Sequence, residues 1–143
     1  MVPQPSSSPS SAPPQSPEAV VRAVMDGVSR LVLGDESQIE RLAAFYAEQT
    51  HVVHPMNPAI PPLRSRDDVR AHFAAAPSQM GRPDAFGPAD VVVHHTTDPE
   101  VVVADFRYEA TRGATTSSLP CVFVVRVRDG LIVDSRDHAG APT

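Results

Sequence analysis

The chain has 143 residues, a net charge of -5 and one cysteine, Cys121. This length suits one domain with a single core, and the negative charge gives no reason to expect nucleic acid as a partner. No run approaches the roughly 18 apolar residues of a membrane span, so we predict no membrane partner either. A lone cysteine and the lack of a secretory signal at the N-terminus predict a reducing, cytoplasmic location.

Residues 1–15 are rich in Pro and Ser. We predict a disordered tail without chemistry, because such a segment buries too little apolar surface to offset the entropy of ordering. The Ser-Pro-Glu sequence at 16–18 is typical of a helix N-terminus, with a capping Ser and an acid near the positive end of the helix dipole. Apolar residues at three- and four-residue spacing extend this helix to about Leu33.

A second helix is predicted from the capping-box spacing of Ser37 and Glu40, and it is expected to extend to about Gln49. A short strand at 51–54 follows, and Pro55 ends it.

The next segment, 55–62, is too rich in proline to be regular. Ser65 and Asp68 have capping spacing, which predicts a third helix at 66–76 that buries Val69, His72 and Phe73. A loop is expected from there to Pro88.

The hydrophobic period then changes from 3.6 to 2 residues, which indicates strands. The four predicted strands are Ala89–Thr96, Glu100–Thr111, Thr116–Arg128 and Leu131–His138. Their short links predict an antiparallel meander. Helices in the first half and strands in the second predict an α+β fold, with a curved antiparallel sheet wrapped around three helices.

The last two strands flank Asp129-Gly130, the strongest short-range signal for a hairpin. In the final strand, the period of 2 places Val133, Ser135 and Asp137 on one face. If that face points inward, a carboxylate lies at the edge of an apolar cavity.

The order of these elements, with a strand ended by proline after the second helix and a closing hairpin ending in Arg-Asp-His, resembles the SnoaL-like polyketide cyclases. These belong to the nuclear transport factor 2 superfamily, which includes ketosteroid isomerase and limonene-epoxide hydrolase. The resemblance covers about residues 16–140, which we take as one domain. It implies a cone with an apolar cavity, a homodimer and no cofactor.

The resemblance also implies roles for single residues. Asp137 matches the cavity aspartate that serves as general acid or base in several members, and His54-Pro55 stands where ketosteroid isomerases have Asp-Pro. Asp105 lies near the middle acid of the epoxide hydrolase Asp-Arg-Asp set, but Val103 replaces its arginine. Asp137 and His54 are therefore the candidate catalytic pair.

The inward face of the strand at 100–111 stays open. Phe106 and Tyr108 share one face, and Asp105 and Arg107 share the other. If the aromatic residues point inward, the charged row is a surface of solvated ion pairs. If the charged row points inward, Asp105 and Arg107 become substrate-binding residues.

Further candidate substrate-binding residues are Tyr46, a possible donor to a developing oxyanion, and Met56, Phe73, Phe123 and Ser135. No metal site is predicted, because the six histidines lack a convincing third ligand at a known spacing.

The sequence therefore predicts a cofactor-independent enzyme that uses acid-base catalysis on a hydrophobic polyketide, terpenoid or steroid-like molecule. Cyclisation, isomerisation, dehydration and hydration are all open. The alternatives are a non-catalytic ligand-binding or dimerisation domain of the same fold, and a structural subunit.

Overall fold

A computed structural model gives the fold of residues 15–141. The predicted tail therefore lies outside the described residues, except for Gln15. The predicted domain bounds, 16–140, enclose every helix and strand of the structure.

The described residues form three helices: α1 (Pro17–Val32), α2 (Gln38–Ala43) and α3 (Arg66–Met80). Helices α1 and α3 pack against the sheet, and α2 packs against these two helices. The predicted cap of α1 is present, because the Ala19 N–H donates to Ser16 Oγ at 3.2 Å. Ser65 caps α3 in the same way and accepts from the Asp68 N–H at 3.0 Å. None of the helices described for 15–141 is long and apolar enough to cross a membrane.

The second helix has only six residues, so the prediction that it extends to Gln49 is wrong. Asp35 Oδ1, rather than the Ser37 hydroxyl, caps its start by accepting from the Ser37 N–H at 3.1 Å. After the helix ends, the chain joins the sheet, and Tyr46 forms a parallel bridge with Ile132. Backbone groups that a longer helix would pair internally are paired with a strand instead.

Six strands form one sheet in the order β2-β1-β6-β5-β4-β3. They are β1 (Gln49–Val53), β2 (Leu63–Ser65), β3 (Ala85–His95), β4 (Val101–Arg112), β5 (Thr115–Arg128) and β6 (Leu131–Ala139). Strands β3 to β6 form the predicted antiparallel meander, whereas β1 is parallel to β6 and makes the sheet mixed. The predicted α+β fold with a curved sheet is confirmed.

Two predicted boundaries shift by four residues. β3 begins at Ala85 instead of Ala89, and α3 continues past Pro77 to Met80. A proline removes only one intrahelical donor, and here the Gly81 N–H donates to the Pro77 carbonyl at 3.0 Å and closes the last turn. The short strand β2 was not predicted, since its pairing with β1 is not visible in three residues of local sequence.

A β-bulge lies in β6. Arg126 pairs with Asp134, but Val127 pairs with Ile132, so Val133 is an extra residue without a partner on β5. The predicted placement of Val133 on the same face as Ser135 and Asp137 is therefore wrong, and Ile132 is buried instead, at 2% exposure. Beyond the bulge, the predicted alternation holds.

The open question about β4 is settled by burial. Phe106 and Tyr108 are 3% and 7% exposed, whereas Asp105 is exposed to solvent. The aromatic side chains pack edge to face, with ring centroids 5.0 Å apart. The aromatic face of β4 therefore lies inside, and the charged row lies on the outer face of the sheet.

The turn of the closing hairpin yields a first prediction. Gly130 has a φ of 77° and Asp129 a φ of 53°, both in the left-handed region. We expect Gly130→Ala to lower the free energy of unfolding by about 1–2 kcal/mol, because a side chain is strained there. Gly87→Ala is the control, since an added Cβ meets no atom within 4 Å and the strand should gain about 0.5–1 kcal/mol. Urea unfolding measures both, and equal effects would contradict the assigned turn.

Candidate functional site

The inner face of the sheet and the helices α1 and α3 enclose a cavity of about 160 Å³. Most of its lining is aliphatic or aromatic. The lining residues are Val21, Val24, Val28, Tyr46, Val52, His54, Leu63, Val69, His72, Phe73, Tyr108, Phe123, Val125, Ile132, Ser135, Asp137 and Ala139. Six of the nine sequence-predicted catalytic or substrate-binding residues belong to this lining: Tyr46, His54, Phe73, Phe123, Ser135 and Asp137.

Asp137 faces the cavity from β6, and its side chain is 15% exposed. The Ser135 hydroxyl donates to Asp137 Oδ1 at 2.5 Å, which fixes the orientation of the carboxylate. Oδ2 takes no part in this hydrogen bond. Burial raises the pKa of Asp137 to about 6, although the Ser135 hydrogen bond and the nearby His138 act in the opposite direction. Near neutral pH, this carboxylate is ionised and is a stronger base than an aspartate in water.

His54 lies directly after β1, and its side chain is 16% exposed. The parallel pairing of β1 with β6 places Val52 beside Ser135 and Val53 beside Arg136. The residue after Val53 is His54, which is therefore level with Asp137. His54 Nε2 lies 3.8 Å from Asp137 Oδ2. The structure thus brings the two candidate catalytic residues together.

These two side chains do not form an ion pair. Burial, together with the neighbouring His72, lowers the pKa of His54 to about 4, while the pKa of Asp137 is about 6. His54 is therefore already neutral at any pH at which Asp137 is ionised. A separation of 3.8 Å is also too long for a direct hydrogen bond. Both groups are left available to a third atom in the cavity.

His72 is a cavity residue that the sequence placed on a buried helix face but not in the site. Its ring centroid lies 5.0 Å from that of His54 and 5.6 Å from that of Phe73. Burial lowers the pKa of His72 as well. The sequence signal for His72 is its spacing from Val69 and Phe73, which places all three residues on the buried face of α3.

Two tyrosines line the cavity. Tyr46 was predicted, and its ring centroid lies 6.2 Å from that of Phe73. Tyr108 was not predicted, although it lies on the aromatic face of β4, where its ring stacks on Phe86 at 4.9 Å. Burial raises the pKa of both phenols, and the charge of Asp137 adds to this, so both are protonated hydrogen-bond donors.

Three residues of the predicted substrate-binding set lie outside the cavity lining. Met56 is 64% exposed in the proline-rich segment. Asp105 and Arg107 lie on the outer face of β4, where the Arg107 guanidinium donates to Asp90 and Glu109. Their assignment to the site is corrected because apolar residues occupy the buried face of the strand. Phe73, Phe123 and Ser135 line the cavity as expected.

Within the described residues, no group of three or more His, Cys, Asp or Glu side chains is arranged to hold a metal ion. His51 illustrates why, because it lies on the opposite face of β1 from Val52 and contacts Asp134 at 3.2 Å near the surface.

A family model described as a SnoaL-like domain matches residues 19–135. No curated protein matches the chain significantly.

Several solved structures share the fold. A proposed isomerase from Bacillus subtilis has a TM-score of 0.69 at 19% identity, over 85% of this chain and 84% of its own. A proposed polyketide cyclase from Xanthomonas campestris pv. campestris has a TM-score of 0.60 at 20% identity, over 85% and 88%. SalBIII, an epoxide hydrolase/cyclase-like enzyme of pyran ring formation in the polyether salinomycin, has a TM-score of 0.64 at 15% identity, over 87% and 90%.

The shifted pKa values predict a pH-dependent stability. Burial raises the pKa of Asp137 in the folded protein from its ordinary value of 3.8 to about 6, so stability falls as the pH rises from about 4 to 6. His54 has the opposite effect, because its lowered pKa removes stability as the pH falls from 6.5 to about 4. We therefore expect Asp137→Asn to gain up to about 3 kcal/mol relative to the natural protein between pH 4 and pH 7.5.

Urea unfolding of both proteins at the two pH values measures this difference. Asp105→Asn is the matched control, because it makes the same change at an exposed site and should leave the free energy of unfolding nearly unchanged. If the difference in free energy of unfolding between Asp137→Asn and the natural protein does not vary with pH, water hydrates the Asp137 carboxylate and its pKa is not raised by burial.

The Tyr108 hydroxyl gives a separate prediction. It is buried and has no hydrogen-bond partner among the described residues. Because an unsatisfied buried polar group costs about 1–3 kcal/mol, Tyr108→Phe should raise the free energy of unfolding by about 1 kcal/mol. Tyr46→Phe is the comparison, since the Tyr46 hydroxyl is not one of the unpartnered buried atoms. Destabilisation of Tyr108→Phe would reveal a bound partner for this hydroxyl.

Proposed function

Because the chain belongs to the SnoaL-like domain family, we propose that it is a small-molecule enzyme that uses general acid-base catalysis in its cavity without a cofactor. The names of its structural neighbours support this class, since they include isomerase, polyketide cyclase and epoxide hydrolase/cyclase-like proteins. Cyclisation, isomerisation, dehydration and hydration all require a proton to be removed and returned at chosen atoms.

The observation that carries the proposal is the buried carboxylate of Asp137. A general base works best when its pKa lies near the operating pH, and burial moves this aspartate to about 6. The Ser135 hydroxyl engages Oδ1, so Oδ2 is the oxygen that reacts. The lining around it is mainly apolar, which limits hydration of the base.

The proposed step is proton abstraction beside a carbonyl group. Asp137 Oδ2 removes a proton from the adjacent carbon, the C–H bond breaks, and its electron pair shifts toward the carbonyl oxygen. Tyr46 donates a hydrogen bond to the oxyanion that develops there. The carboxylic acid formed on Asp137 then returns the proton to another carbon or to an oxygen, which completes an isomerisation or follows a ring closure.

His54 supplies the second proton-transfer group of the proposal. Neutral above pH of about 4, its imidazole accepts or donates one hydrogen bond through Nε2, 3.8 Å from the reactive oxygen. Its low pKa makes the imidazolium a strong acid, so any proton that it accepts passes on quickly. Phe73 and Phe123 contact the apolar part of the substrate in this arrangement.

We further propose that the protein is a cytoplasmic homodimer that pairs through the outer face of its sheet. The two exposed valines there, Val92 and Val122, support this arrangement, because both pair with Asp105 in the ladder and form one cross-strand row.

The proposal predicts the pH profile of a simple proton transfer. Conversion of 3-cyclohexen-1-one to its conjugated isomer, followed by ultraviolet absorbance, reports abstraction beside a ketone. We expect kcat/KM to rise with pH through about 6 and then to level off, because the ionised form of Asp137 is the active base. Asp137→Asn should lower kcat by at least about 100-fold, the smaller end of the usual contribution of a general base.

Two matched controls accompany this measurement. Asp105→Asn and His51→Ala repeat the substitutions of Asp137→Asn and His54→Ala on the outer side of the sheet, and both should retain activity. A panel with cyclohexene oxide and 5-androstene-3,17-dione extends the assay to epoxides and polycyclic ketones. Unchanged turnover in both Asp137→Asn and His54→Ala would eliminate the pair, and ligand binding without any turnover would favour the non-catalytic binding domain.

A further inference from the structure

The cavity has two properties that together restrict its ligand: a small volume and a separation of polar from apolar lining. We infer that it encloses a single six-membered ring, or an apolar group of that size, with one neutral oxygen function directed at a polar strip. We define the polar strip as Ser135, Asp137, His54 and His72. The inference rests on the proposed function only in taking the occupant to be a small molecule.

The volume limits the size of the occupant. The cavity measures about 160 Å³. An apolar protein cavity of about 150 Å³ holds one benzene molecule, whereas sites for drug-sized ligands measure about 300–1,000 Å³. A single ring therefore fills this space, and a fused polycyclic ring system extends beyond it.

The polar strip is continuous. The Ser135 hydroxyl contacts Asp137 at 2.5 Å, Asp137 lies 3.8 Å from His54, and the His54 ring lies 5.0 Å from His72. Apart from the two phenols, the remaining lining is apolar. A ligand oxygen that faces the polar strip exchanges its hydrogen bonds to water for hydrogen bonds to the protein. A ligand oxygen that faces the valines loses its hydrogen bonds to water and gains none.

Charge restricts the ligand further. Among the described residues that line the cavity there is no Lys or Arg, so nothing there compensates an anion. An ionised Asp137 repels a carboxylate or a phosphate at neutral pH. His54 and His72 are neutral at that pH, because burial lowers the pKa of both. A ketone, an ether, an epoxide or an alcohol meets these conditions.

Phe73 is the residue that we expect to set the size limit. It lines the cavity from α3, its ring is half-buried, and it contacts both Tyr46 and His72. Truncation of this side chain extends the cavity without removing a group of the polar strip.

The test uses three probes at pH 7.5: cyclohexanone, the larger ketone 2-decalone, and the anion cyclohexanecarboxylate. Amide NMR titration of the full chain measures their dissociation constants, and the amides of Ser135 and Asp137 report the polar strip. We expect cyclohexanone to bind with the lowest dissociation constant and each other probe to bind at least 10-fold more weakly. Equal or tighter binding of 2-decalone or of cyclohexanecarboxylate would overturn the inference.

Variants connect the result to the cavity. Phe73→Ala, or Phe73→Val if the alanine variant does not fold, should improve 2-decalone binding at least 10-fold and leave cyclohexanone within about threefold. Met56→Ala is the control, because Met56 lies outside the cavity lining and should change neither value. The absence of any improvement in the Phe73 variant would contradict the assigned size limit.

The two proposals fail in different ways. Cyclohexanone binding at the polar strip without turnover of any ketone or epoxide would support the ligand class and contradict catalysis. Turnover of 5-androstene-3,17-dione without cyclohexanone binding would overturn the ligand class and leave acid-base catalysis intact.

Discussion

The parallel pairing of β1 with β6 is the contact on which the site depends. The paired residues of these strands are more than eighty positions apart in the chain, and the register of Val52 with Ser135 places His54 at the carboxylate of Asp137. A second long-range bond fixes the same junction, because the Thr50 hydroxyl donates to the Ile132 carbonyl at 2.9 Å. One ladder thus determines both the mixed sheet and the distance between the two candidate catalytic groups.

Burial then sets the charge of the site. Removing an acid and a base from water favours the neutral form of both, so the same apolar cavity raises the pKa of Asp137 and lowers that of His54. A surface pair of these residues attracts as opposite charges, but this buried pair does not. The outer face of the sheet contrasts with it, since Arg126 and Arg128 share Glu100 there in exposed ion pairs. On the outer face, opposite charges pair with one another. In the cavity, the apolar surroundings keep His54 neutral and make Asp137 a weaker acid.

The sequence predicts the features that depend on local pattern. Period-2 runs and the Asp129-Gly130 turn located four of the six strands, and a capping serine located the start of α1. It also identified Asp137 and His54, although by resemblance of the order of elements. Features that depend on distant pairing were missed: β2, the early end of α2 and the bulge at Val133. The local sequence could not determine which face of β4 points inward, because aromatic residues are expected in a core and charged residues are expected in a substrate-binding site.

Tyr108 and His72 show a second limit of the sequence. Each carries the ordinary signal of a core residue, and only the cavity distinguishes a wall from a filled interior. A tyrosine on the aromatic face of a strand and a histidine on the stripe of a helix are most often packed side chains. Here both side chains line the cavity, so they are part of the site.

The bulge in β6 changes how relatives of this chain can be compared. Because Val133 has no partner, the alternation of inward and outward side chains shifts by one residue at this position. The number of residues after Gly130 therefore no longer predicts the direction of a later side chain. A homologue shorter by one residue at this point would have a regular ladder and still direct its acid toward the cavity. Alignment by position along the ladder, rather than by distance from the turn, is thus the sound basis for transferring the acid between members of this fold.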